Sequence, residues 1–170
     1  TAGSLTDSAA NIAASLNLTV TGDVTLNNAN DFNTVIGTAA NLTLTDVDDL
    51  ALAGVNVGGG AGALTVTAGS LTDTAPNFAG ALALTVAGNA TLNDANDFDS
   101  VAGTAGNLTL NDVDDLDLAG VNIGAGAGDL DLTVGGNLTD SAANTAGALV
   151  FDVVGDVTLD DVNNDFVSVL

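Results

Sequence analysis

Nine residue types are missing from this chain of 170 residues: Lys, Arg, His, Glu, Gln, Cys, Met, Trp and Tyr. Without cysteine there is neither a disulfide framework nor a thiolate metal site. Without His, Cys or Lys the usual bases and nucleophiles are gone, and without Arg there is no clamp for an anion. Any catalysis would rest on Asp, Ser and Thr, so the chain does not read as an enzyme. It also has no run of 18 apolar residues and no signal-peptide pattern, which argues against membrane insertion. So narrow an alphabet would suit disorder, yet 46% of the residues are hydrophobic. They are spaced to be buried, so the chain reads as folded.

What is present is a repeat. Gly3-Ser4-Leu5-Thr6-Asp7 returns as Gly69-Ser70-Leu71-Thr72-Asp73 and as Gly136-Asn137-Leu138-Thr139-Asp140. A period of this kind marks a solenoid, in which each unit buries its apolar face against its neighbours. Shorter units lie inside it. Leu18-Thr19-Val20 recurs at Leu42, Leu64, Leu84, Leu108 and Leu132, and loosely at Phe151-Asp152-Val153, in steps of 24, 22, 20, 24, 24 and 19 residues. Apolar residues alternate with small polar ones in each step, the period of a strand with Leu and Val inward and Thr outward. Gly, Asn and Asp fill the places between, as corners require. These features predict an all-β parallel β-helix (β-solenoid) of seven to eight coils, a rod roughly 35 to 40 Å long. Leu42 and Leu108 should point inward, and Phe32, Phe98 and Phe166 should recur at every third coil. The expected organisation is a single domain, 1–170, built from long repeats 1–68, 69–135 and a partial 136–170. Starting and stopping inside repeats, the chain reads as a processed product or a section of a longer array.

All 22 acidic residues are Asp, and nothing offsets them. On a rod of that length they amount to about one charge per 1.7 Å, close to duplex DNA. Nucleic acid and anionic membranes are poor partners for such a surface, and divalent cations are natural ones. Asp46-Val47-Asp48-Asp49 is repeated as Asp112-Val113-Asp114-Asp115. Closely spaced carboxylates on a turn can supply the oxygens Ca²⁺ takes, so Asp46, Asp48, Asp49, Asp112, Asp114 and Asp115 are the candidate metal ligands and Ca²⁺ the candidate cofactor. The competing reading is that Asp and Asn simply make the turns and keep the rod soluble. Asp114 with Asp115 also has the form of a glycosidase carboxylate pair. Its copy at Asp48 and Asp49 makes it part of an array rather than one active site. Outward pairs at Thr19/Thr21, Thr43/Thr45 and Thr65/Thr67 suggest an ice-binding ladder that the following coils interrupt. Five glycosylation sequons begin at Asn17, Asn41, Asn89, Asn107 and Asn137.

Asn-Leu-Thr-Leu at Asn41 and Asn107, followed by Asp-Leu-x-Leu-Ala-Gly-Val-Asn and a Gly/Ala run, resembles the shafts of large secreted bacterial surface proteins of the filamentous haemagglutinin type. The resemblance implies a right-handed parallel β-helix located extracellularly or on the cell surface. It also implies a role as fibre subunit or shaft that self-associates end to end. The alternative is an adhesin module that binds a glycan or receptor along one side. Exposure of Phe32, Phe98 and Phe166 would favour binding; their burial would favour the shaft.

Overall fold

Alternating Leu/Val and Thr/Asn positions do form strands, and the strands stack. The computed structural model describes residues 3–170. Among them, sixteen strands join in one parallel sheet that takes in 70% of the chain. The described helical turns are two 3₁₀ turns, Gly58–Gly60 and Gly124–Gly126.

The register resolves two columns of inward residues. In the first, Leu5, Val24, Leu42, Leu64, Leu82, Val101 and Leu118 pair in succession. In the second, Leu50, Leu71, Ala90, Leu108, Leu130, Leu149 and Val169 do so. Leu16, Val35 and Leu52 lead into the second column. Successive partners are 17 to 22 residues apart, giving a β-solenoid of about nine turns. At about 4.8 Å per coil the rod is about 43 Å long.

Nine coils correct the expected seven to eight, and the columns show why. Leu18 lies on the second column beside Leu16, whereas Leu42 lies on the first. The step from 18 to 42 is therefore a coil and a half. The step from Leu84 to Leu108 crosses between columns in the same way. Counting each triplet step as one coil loses a half coil twice.

The same geometry governs the long repeat. Leu5 sits on the first column, Leu71 on the second, and Leu138, paired with Leu116 next to Leu118, on the first again. One long repeat thus advances three and a half coils, and equivalent residues appear on alternate sides. Phe32 pairs with Ala13, Phe98 with Ala79 and Phe166 with Ala146. The aromatic accordingly recurs every three and a half coils, not every third. A small alanine beside each ring leaves room for it in a narrow interior.

The core runs unbroken along the axis, with Leu42, Leu44, Leu64, Leu108 and Leu110 all buried. Each such side chain contributes roughly 1.5 to 3 kcal/mol through burial. At the ends the cover thins. Leu5 and Leu16 are half-buried, and Val154, Val162, Val167 and Leu170 are exposed.

Candidate functional site

The two acidic turns fold alike, and each divides its carboxylates between interior and surface. Asp46 and Asp112 end the strands Leu42–Asp46 and Leu108–Asp112 with their side chains turned in. Phe32 N–H donates to Asp46 Oδ2 at 2.7 Å, and Phe98 N–H to Asp112 Oδ2 at 2.8 Å. The N–H groups of Asp48 and Asp114 donate to the other oxygens, each at 3.2 Å. Buried backbone donors need acceptors, and these two carboxylates supply them. Burial disfavours the charged form and pushes Asp112 up to about 7, against its two N–H donors. Burial raises Asp46 in the same way.

Asp48, Asp49, Asp114 and Asp115 are exposed. Their neighbours in the next coil are neutral: Gly69 N–H donates to the Asp48 carbonyl at 2.8 Å, and Asn137 N–H to Asp115 Oδ1 at 2.6 Å. The two turns are three and a half coils apart and face opposite ways, so the structure does not bring the six carboxylates together. Among the described residues no three acidic side chains converge closely enough to hold a metal ion. Asp97 is raised by burial first and then by the charges of Asp114 and Asp99.

Sequence reasoning missed the interior asparagines. Asn30, Asn77, Asn96 and Asn144 are fully buried. Asn96 Nδ2 donates to Asp73 Oδ2 at 2.7 Å and to the Leu92 and Asp94 carbonyls at 3.2 and 3.0 Å. Its Oδ1 accepts the N–H of Asn77 at 2.9 Å. Asn77 Oδ1 in turn accepts Val55 N–H at 2.9 Å. Asn-Asn-Asp therefore stack in three successive coils, at Asn77, Asn96, Asp112 and again at Asn11, Asn30, Asp46. Asn144 and Asn164 begin the same column in the third repeat. Two sequence signals carried it: Asp-x₃-Asn at residues 7, 73 and 140, and Asn-Asp-Phe ending at Phe32, Phe98 and Phe166.

Outside, a second ladder occupies the corners. Asn41 Nδ2 donates to Asp23 Oδ1 at 2.8 Å, Asn107 Nδ2 to Asn89 Oδ1 at 3.1 Å, and Asp156 N–H to Asn137 Oδ1 at 2.8 Å. Four of the five sequon asparagines are thus already bonded between coils. The threonine column is longer than the triplets suggested: Thr45, Thr67, Thr85 and Thr104 stack in four successive coils.

A chain with this period, these corners and this stacking has the marks of a repeat family, and one matches. Repeats of unknown function (DUF5649) cover residues 1–39, 39–104 and 105–170. The chain belongs to this family. The two full DUF5649 units are each one long repeat, so each is three and a half coils of solenoid. No curated protein and no solved structure matches the chain.

Proposed function

We propose that the chain is a structural segment of an extracellular bacterial surface filament, a shaft whose coils continue axially and whose acidic sides are drawn together by divalent cations such as Ca²⁺. The observation that carries this reading is the interior. Leu, Val, Ala and stacked Asn fill the rod from Leu18 to Leu149, and Phe32 and Phe98 are buried within it while Phe166 packs against the core. Of the five Phe, Phe78 is exposed, alone and without an aromatic neighbour in register, and the three that recur with the repeat are turned to the core, which favours a shaft over the binding module. Over about 43 Å the 22 carboxylates amount to about one per 2 Å, dense enough to condense counterions. In this role the exposed Asp48, Asp49, Asp114 and Asp115 act between rods rather than as a closed site, two on each side.

Electron microscopy with millimolar Ca²⁺, and again after chelation, tests the proposal. Filaments or bundles in Ca²⁺ that separate into thinner rods on chelation are the expected result. Single short rods under both conditions would overturn it.

A further inference from the structure

Among the described residues the amino-terminal face of the rod has no covering coil, and its chemistry specifies what would close it. An apolar hollow of about 360 Å³ lies there, lined by Leu5, Ile12, Leu16, Leu26 and Phe32 among others. The interior holds two covered copies of the same surface. In one, Leu71, the equivalent of Leu5, is buried against Leu50 and Leu82, the equivalent of Leu16, against Leu64; in the other, Leu138 is buried against Leu116 and Leu149 against Leu130.

The polar match is more selective. Asn77 Oδ1 accepts the N–H of Val55 at 2.9 Å, and Asn144 Oδ1 accepts that of Val121 at 2.9 Å and that of Gly120 at 3.2 Å. Both donors sit in Leu-Ala-Gly-Val, and the glycines, at φ of 90° and 95°, take a backbone turn that other residues resist. Asn11 occupies the equivalent place. Its Nδ2 is used, donating to the Ala9 carbonyl and to Asn30 Oδ1 at 3.0 Å each. Among the described residues no N–H reaches its Oδ1. Residues 1–7, Thr-Ala-Gly-Ser-Leu-Thr-Asp, also recur without change as Thr67 to Asp73, which follow directly on Val66.

We propose that this face binds one further coil of the kind formed by residues 41–66, supplied by a repeat of the same family placed in line ahead of it. Its Leu50 and Leu64 equivalents cover Leu5 and Leu16, and its Gly-Val N–H completes Asn11. The inference goes beyond the filament reading because it rests on the solenoid's internal register alone. It also sets the phase of growth: each added repeat is turned half a coil from the last.

The test joins a copy of residues 39–66 ahead of Thr1 in the full chain, so that Val66 runs into Thr1 as it runs into Thr67. The melting temperature should rise, and amide exchange at Ala13 and Leu16 should slow by about tenfold or more. Asn11→Ala should lower the melting temperature of the extended chain more than that of the original, approaching the loss from Asn77→Ala. An extension that exchanges as a disordered tail, with Ala13 and Leu16 unchanged, would overturn the proposal. So would self-association of the unextended chain that protects the same amides, which would make the occupant a second copy. Axial filaments of the unextended chain that protect these amides would support the filament reading while overturning this proposal, and a docked extension without filaments would do the reverse, so the two fail separately.

Discussion

A single buried carboxylate shows how the rod spends its polar groups. Asp112 closes an asparagine column by accepting Phe98 N–H and Asp114 N–H in a place that burial makes unfavourable for charge. Its pKa is about 7 in the folded state and near 3.8 without that environment. Between those values the folded chain holds a proton that the unfolded chain has released, so this group's contribution to stability falls as pH rises from about 4 to about 7. Repulsion among the other Asp residues acts in the same direction. Asp112→Asn isolates the one group. The wild-type advantage in melting temperature over this variant should be larger at about pH 5 than at about pH 7.5. A constant difference would remove Asp112 from the titration. Asn96 makes the complementary case: Asn96→Leu leaves the Asn77 N–H and several carbonyls unpaired. It should cost about 3 kcal/mol in urea denaturation, and an unchanged midpoint would mean that the column carries no load.

At the scale of strands and coils, much was legible and the failures have physical causes. Strand positions and inward faces followed from period two: Leu42 and Leu108 are buried as the alternation required. Leu108→Asp should melt a coil by burying a charge without a partner, lowering the melting temperature steeply; a melting temperature like the wild type's would reverse its inward assignment. The coil count was harder to read because Leu-Thr-Val triplets serve both columns, so equal spacing in sequence is one coil in some places and one and a half in others. The asparagine column was hidden for a different reason. Asn is an ordinary turn residue, and half-buried Asn28 and fully buried Asn30 lie in one strand, set apart only by the Asp-Phe that follows Asn30, a signal that gains weight when its three copies are compared. The acidic turns were visible as motifs, but their split was not: Asp46 and Asp112 face inward while their neighbours face solvent.

For the whole molecule, the half coil in the repeat matters most. A repeat of a whole number of coils would line its features along one side of the rod. Three and a half coils place them on both sides, so Asp48-Asp49 and Asp114-Asp115 face opposite ways and rods can be bridged to neighbours on either side. That arrangement suits sheets and bundles and gives the proposed cation bridging its geometry. The central claim can be measured directly, because a chain without cysteine accepts two and no others. Spin labels at Thr25 and Ala102 lie on one side, four coils apart, about 19 Å along the axis. Labels at Thr25 and Thr91 lie three and a half coils apart, about 17 Å along the axis, but on opposite sides. Pulsed dipolar spectroscopy should therefore find the Thr25–Thr91 pair farther apart than the Thr25–Ala102 pair, although it is closer along the rod. The reverse order would contradict the half-coil repeat and the two-sided rod built on it.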